Sequence, residues 1–343
     1  MKEILIKNLF NYKRTREILY SIIKHKNLKR NNFLLAESSR RKSISIFEFE
    51  RLAENIPNGY FHPNGDIQLY GFYHVLLQYM GKKNLPNNIA QEHGFIFSSF
   101  VHKHFTFADT ILTFSDYREK YINNEYPLKN ILKVGPYIHY ANDLLTEYEY
   151  RKLKEKNGKI LLVFPFHSID GIFSDFDSKE FLEIIEENRK GFDTVIVCLY
   201  FKDIQLGRAK TYVDNGYIVT TAGHANDAFF LNRLKSIMQL SDYVISNGVG
   251  SHVAYATYLN KKITLFRQKT TFRDEEGHEN NENKKSLTDI SKHWDEYELI
   301  QDVLFRILNG EALNNDDQEY LNNLFGIKYI KTSDELCRSL KCN

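Results

Sequence analysis

Apolar residues in this chain follow two periods in turn, and the alternation between them lays out most of its elements. The clearest passage is 230–266. Leu231, Leu234, Ile237, Met238 and Leu240 recur at helical spacing, and the apolar run at 243–246 then reads as a short buried strand. Asn247-Gly248-Val249-Gly250-Ser251 is a turn, a second helix runs through His252, Ala254, Tyr255, Ala256 and Leu259, and 263–266 is another strand. Helix, strand, glycine turn, helix and strand form a parallel α/β unit. Its turn lies at the carboxyl end of a strand, where open parallel sheets take their ligands. The helix after the turn offers unpaired N–H groups and a positive dipole end, a natural phosphate seat.

The same alternation continues upstream. Strands are expected at 159–165, 194–200 and 217–221, with a helix at 179–188 capped by Ser178 and another at 204–215 stopped by Gly216. That predicts a parallel sheet with helices on both faces. The first half is less regular. Strands are expected at 1–6, 33–36, 88–94, 110–115 and 130–136, and helices at 12–25, 46–52, 69–80 and 116–123. A loop rich in Pro and Gly carrying His62 and Asp66 falls at 56–66, a second polar loop at 268–286, and helices fill 289–342. Two Rossmann-like α/β domains facing across a cleft are the expected architecture. Their bounds are 1–145 and 159–310, with a charged linker at 146–158 and a helical tail at 311–343.

Length agrees with this division, since 343 residues suit two cores of ordinary size. The chain has 25 Phe and 22 Tyr, too many for a disordered chain, and a formal charge of only +2, which argues against a general nucleic-acid binder. Basic residues cluster between Lys2 and Lys42, where a solvated face competes with attachment to an anionic membrane surface or polymer. The three cysteines, Cys198, Cys337 and Cys342, form no disulfide framework and no zinc spacing. No long apolar window occurs, so a soluble, reduced, cytoplasmic protein is expected, with peripheral contact at the inner face of the membrane as the alternative.

Candidate chemistry gathers at strand ends. Glu92-His93-Gly94 places an acid and an imidazole beside a residue that allows close approach. His167 and Ser168 follow the strand at 159–165, and His224 follows the one at 217–221. Ser246, Asn247, Gly248, Gly250, Ser251 and His252 make up the organising turn, a polar set that a purely structural turn does not need. The histidines form no compact metal set. His102 and His104, two apart, have no carboxylate to complete a site.

On His93-Gly94, on the turn at 246–251, and on Ser241-Asp242-Tyr243-Val244-Ile245-Ser246, Tyr255-Ala256 and Leu259-Asn260-Lys261-Lys262-Ile263, the chain resembles GT-B glycosyltransferases. The resemblance is to the bacterial surface-polysaccharide enzymes, the capsule, Kdo-transferase and glycerophosphotransferase-like group. It implies an acceptor site in the first half and a nucleotide-sugar site in the second, for synthesis of a capsule or lipopolysaccharide glycan. It leaves hexosyl, sialyl and Kdo transfer open. Retaining members carry two glutamates eight apart beside the donor. Here Glu147 and Glu155 have that spacing but fall in the charged linker, which favours inversion. The sialyltransferase pairs occur in reverse order, as His62-Pro63 and Asp170-Gly171, and Glu92 stands where glycerophosphotransferases have an aromatic residue.

Inverting transfer needs a base for the acceptor hydroxyl and donors for the leaving phosphate. Glu92 or His93 is the expected base, with Asp66 in reserve. Gly248 to Ser251, the Ser246 hydroxyl, His252, His167 and Ser168 are expected around the phosphate, and His224 near the base or ribose. No cofactor is required on this reading, and Mg²⁺ remains open as an accessory. Two alternatives share the fold: a sugar-nucleotide epimerase using Asp170, and a non-catalytic partner subunit.

Overall fold

The structure, a computed structural model, describes residues 28–56, 66–86, 88–102, 105, 108–168, 172–274, 294–310 and 314–342, with helical positions 15, 18, 21, 22 and 25 ahead of them. The expected strand at 1–6, His62, His104, Asp170 and most of the expected helix at 12–25 lie outside those residues.

The second half is built on a five-stranded parallel sheet. Its strands are β4 (Ile160–Phe164), β6 (Thr194–Cys198), β7 (Ile218–Thr220), β8 (Tyr243–Ser246) and β9 (Ile263–Leu265), in the order β7-β6-β4-β8-β9. Leu161 stands beside Val195 on one side and Tyr243 on the other, which makes β4 the central strand. Its sequence ILLVF is apolar throughout and buried throughout. Both faces are covered, so alternation is absent, as is usual for a parallel strand. Leu162 and Phe164 join the core shared with the first half, while Leu161 and Val163 pack with Phe181 and Ile185 on the opposite face.

The chain starts at β4, builds outward through β6 to β7, then returns to lay β8 on the other side of β4. The gap between β4 and β8 is therefore the topological switch point, where such sheets open a crevice at their carboxyl ends.

The first half holds a three-stranded parallel sheet: β1 (Ile89–Gln91), β2 (Thr110–Thr113) and β3 (Asn130–Lys133), with Ala90 beside Ile111 and Ile111 beside Ile131. Its helices α1 (Leu28–Lys42) and α2 (Phe49–Ala53) dock on the second half. Buried Arg41 donates to the Leu52 carbonyl at 2.8 Å, the Leu52 carbonyl accepts from the His224 N–H at 3.1 Å, and Gln205 Nε2 donates to the Ala53 carbonyl at 2.8 Å. Helix α3 (Phe72–Met80) packs Phe72, Val75 and Leu76 into the shared core, and α4 (Asp116–Glu125) follows β2. The charged stretch expected as a linker folds as α5 (Glu147–Asn157). It is started by a capping box in which Thr146 Oγ1 accepts from the Glu149 N–H and Glu149 accepts from the Thr146 N–H.

Four expectations need correction. Residues 33–36 are not a strand but the middle of α1. The helix at 178–188, α6 (Ser178–Asn188), is capped by Asp177, whose carboxylate accepts from the N–H groups of Lys179 at 2.9 Å and Glu180 at 3.2 Å. Residues 204–215 divide into α7 (Phe201–Gln205) and α8 (Ala209–Asp214) around Gly207, which takes a φ of 79°. The expected loop at 268–286 begins with strand β10 (Thr270–Asp274), antiparallel to β5 (Ile172–Phe176).

Helices α9 (Phe230–Leu240) and α10 (Ser251–Tyr258) stand where the hydrophobic pattern places them. The last helices are α11 (Trp294–Leu308), α12 (Asn315–Leu324) and α13 (Ser333–Leu340). α11 lies against β9, whereas α12 and α13 return to the first half. Phe325 is fully buried there, with its ring 5.2 Å from Phe95 and 6.3 Å from Phe97. Among the described residues no helix is long and apolar enough to cross a membrane.

Candidate functional site

A cavity of about 260 Å³ opens at the switch point, between the carboxyl ends of the second sheet and the loop that follows β1. The second half contributes His167 after β4, Tyr200 after β6, and Ser251 and His252 at the start of α10. The first half contributes Tyr70, His93 and Gly94. The walls are mostly aromatic and aliphatic, as in small-molecule sites generally. No carboxylate among the described residues lines it; the titratable groups are His93, His167, His252, Cys198 and three tyrosines.

The turn after β8 is a dense lock. Ser246 Oγ donates to the Phe164 carbonyl at 2.7 Å or the Gly248 carbonyl at 2.9 Å, tying β8 to the end of β4. Its single hydrogen is thereby spent, so at 3.0 Å it accepts from His252 Nε2. The His252 ring lies almost flat on Phe164 at 4.9 Å. Asn247 Oδ1 accepts from the Phe166 N–H at 2.6 Å and its amide donates to Gln268 at 2.7 Å. Gly248 is required by space, since a Cβ there would stand 2.1 Å from the Phe166 ring. Ser246 and Asn247 are thus framework, and the surface that reaches the cavity is Gly250, Ser251 and His252 at the first turn of α10.

Burial and the neighbouring His167 hold the His252 imidazole down to about 3, and a hydrogen bond to the Gly248 backbone offsets them only in part. It is a neutral ring at physiological pH. The unfolded chain binds this proton near 6.5 and the folded one only near 3, so the stability tied to it is complete above pH 6.5 and is lost as pH falls through that window. Burial lowers His74 and His139 in the same direction. We expect the urea midpoint to be level from pH 8 to 7 and then to fall, by up to about 1.4 kcal/mol of stability per pH unit for each histidine. His252→Asn should flatten that slope; an unchanged slope would remove His252 from the account.

Across the cavity, Gly94 sits so close that a Cβ would meet Ser251 Oγ at 2.6 Å, and the Phe95 N–H donates to that same oxygen at 2.9 Å. The two halves therefore meet through the first residue of α10. The His93 ring lies 6.0 Å from Tyr70 and 4.6 Å from His102.

The other expected residues are placed as follows. Glu92 is fully buried in an ion pair with Arg118, at 2.6 Å to Nη2 and 3.0 Å to Nε, and accepts from Thr113 Oγ1 at 2.6 Å. It does not line the cavity, because its carboxylate turns to Thr113 and Arg118 while His93 faces the cavity. Ser168 is fully buried; its N–H donates to Asp203 and its Oγ accepts from the Ser174 N–H at 3.2 Å, which anchors β5. His224 Nδ1 accepts from the Asn226 N–H at 3.1 Å and its ring packs on Phe201 at 4.2 Å, outside the cavity wall. Asp66 begins the 3-10 turn Asp66–Gly71, and nothing is described of its side chain. His167 lines the cavity, with Nδ1 3.0 Å from the Ser168 carbonyl and its ring 4.7 Å from Tyr200.

Sequence reasoning missed Tyr70. It has the left-handed backbone φ 58°, ψ 19°, which bulky residues rarely adopt, and its N–H donates to the Ala225 carbonyl at 2.6 Å. Gly71 follows at φ 71°, where a Cβ would stand 2.3 Å from the Ala228 carbonyl oxygen. The pair swings the phenol into the cavity, 3.2 Å from the Tyr200 hydroxyl. Read as the start of an apolar helix, Leu69-Tyr70-Gly71 gives one signal of this, the glycine at its third position. Burial pushes the Cys198 thiol up to about 12, so it serves as an apolar wall. Among the described residues no group of three His, Cys, Asp or Glu side chains is placed to hold a metal ion.

No protein-family model and no curated protein matches this chain. Among solved structures, the pneumococcal O-GlcNAc transferase GtfA in complex with UDP and GlcNAc is similar over 68% of this chain at 8% identity, with a TM-score of 0.31. The chain spans 45% of that protein's length. The S. aureus MnaA–UDP structure is similar over 82% of this chain and 83% of its own, at 10% identity and a TM-score of 0.37. The site stands on its own geometry.

Proposed function

We propose that this protein is an inverting glycosyltransferase that binds a nucleotide sugar at the switch-point cavity and passes the sugar to a glycan or lipid-linked acceptor of a surface polysaccharide. The observation that carries the reading is the pairing of α10's first turn with His93 across one cavity. The donor diphosphate sits at that first turn, where N–H groups and the helix dipole meet negative charge. The Ser251 hydroxyl, whose oxygen takes the Phe95 N–H, keeps its own hydrogen to donate there, and His167 lines the same cavity. Aromatic walls from Tyr70 and Tyr200 suit a sugar ring or base.

Of Glu92 and His93, the two expected bases whose side chains are described, His93 is the one that lines the cavity. Its imidazole takes the acceptor hydroxyl proton as the oxygen bonds to the anomeric carbon. The bond to the nucleoside diphosphate breaks on the opposite face, and α10 receives the leaving charge. The epimerase alternative relies on Asp170, outside the described residues, and no described carboxylate lines the cavity to take its place.

The test is a thermal-shift screen against UDP, CMP, CDP, GDP and their sugar conjugates, with and without Mg²⁺. A ligand at about a hundred times its dissociation constant adds about 2.7 kcal/mol of stability. One nucleotide should raise the melting temperature in the wild type and much less in His167→Ala. Well-folded protein that responds to none of them ends the transferase reading and leaves the partner-subunit alternative.

A further inference from the structure

Two of the three cysteines meet at a helix end for a geometric reason. Helix α13 closes with Lys341 in the left-handed conformation at φ 53° and ψ 43°. The Cys342 N–H donates to the Cys337 carbonyl at 3.0 Å, and the Lys341 N–H to the Arg338 carbonyl at 3.2 Å. These two bonds define a Schellman cap, in which the side chains three residues inside the helix end and two residues beyond it turn toward one another. Apolar residues usually fill those positions, and here both are cysteine. Each is partly buried against the same core. Leu336 and Leu340 fix the helix on the first half, so the cap is held by packing as well as by its own bonds.

We propose that Cys337 and Cys342 form a redox-reactive dithiol, a modification site that accepts small disulfides and closes into an intramolecular disulfide. One thiolate attacks the disulfide of the reagent, forming a mixed disulfide and releasing one reagent thiol. The second cysteine then attacks the mixed disulfide, forming the Cys337–Cys342 bond and releasing the second reagent thiol. The protein loses two hydrogens and the reagent gains them. Burial and the neighbouring Cys337 push the Cys342 thiol up, and the Lys82 ammonium partly pulls it back, so the exchange accelerates as pH rises. Cys198 is kept out of the reaction by its burial in the cavity wall, which also pushes its thiol up.

The experiment uses the full folded chain and glutathione disulfide. Wild-type protein is expected to lose two hydrogens in intact mass. Trypsin cuts after Arg338 and Lys341, so digestion should release the peptide ending in Arg338 joined to the peptide that begins at Cys342. Cys198 should be alkylated only after unfolding. Cys337→Ser should retain glutathione on Cys342, because the second displacement has lost its nucleophile. Wild-type protein that accumulates glutathione on both residues overturns the proposal. So does wild type that returns both as free thiols from an incubation that closes a reference dithiol.

Discussion

Replacing Arg118 with alanine should destabilise the fold by about 3–5 kcal/mol, the usual cost of leaving one member of a buried ion pair without the other. Arg118 and Glu92 are both fully buried. Glu92 also takes the Thr113 hydroxyl, and Arg118 reaches on to the carbonyls of Ser98 and, at 2.7 Å, Phe100. The guanidinium therefore holds the loop that carries His93 and Gly94 as well as neutralising the acid. Urea unfolding of Arg118→Ala measures the loss. An apolar pair of similar volume, Arg118→Met with Glu92→Leu, should recover much of it, since the desolvation of both charges disappears together. Glu92→Gln decides the competing role. A variant as stable as wild type but without turnover would return Glu92 to the chemistry, whereas lost stability keeps it in the framework.

His93→Ala should lower turnover by about 10²- to 10⁴-fold, the span general bases contribute. It should leave the nucleotide-induced rise in melting temperature nearly intact, because the proposed diphosphate seat belongs to α10 and His167. Turnover with the nucleotide sugar selected in the screen, measured beside that melting shift, separates the two effects. Turnover within a few-fold of wild type would place the base elsewhere, and loss of the melting shift would make His93 a donor-binding residue.

How far the fold could be read in the sequence depended on where each signal resides. Strand β4 and the unit from α9 to β9 were legible because each carries its pattern within its own residues. Helix α1 was not. Its buried stripe runs through Leu34, Ser38 and Arg41, at helical spacing, but two of the three are polar and invisible to an apolar count. The adjacent Phe33 and Leu35 are about half exposed, so the short apolar run that looked like a strand lies across the face of a helix. The β5–β10 ribbon pairs Phe272 with Ser174, and neither strand has enough apolar alternation to announce a partner so distant in the chain.

The site divides the same way. A glycine turn at a strand end pointed to α10, and Gly94 beside His93 pointed to a close approach. Residue type alone could not separate Ser246 and Asn247, which hold the strands together, from Ser251 and His252, which face the cavity. Glu92 and His93 are neighbours on one strand end with opposite destinations. What decides between them is Arg118, 26 residues away.

The seating of Phe325 against Phe95 and Phe97 also has a meaning in time. Those first-half aromatics are made early, yet the residue that completes their packing leaves the ribosome roughly 190 residues after β3, or about 10–40 s later at ordinary synthesis rates. Gly326 continues the same contact, close enough that a Cβ would meet the Phe114 carbonyl at 2.1 Å. During synthesis the first sheet must therefore wait, with part of its aromatic core uncovered, for the end of the chain that closes it. Chaperone demand in the cell should be set by that interval more than by the stability of the finished protein.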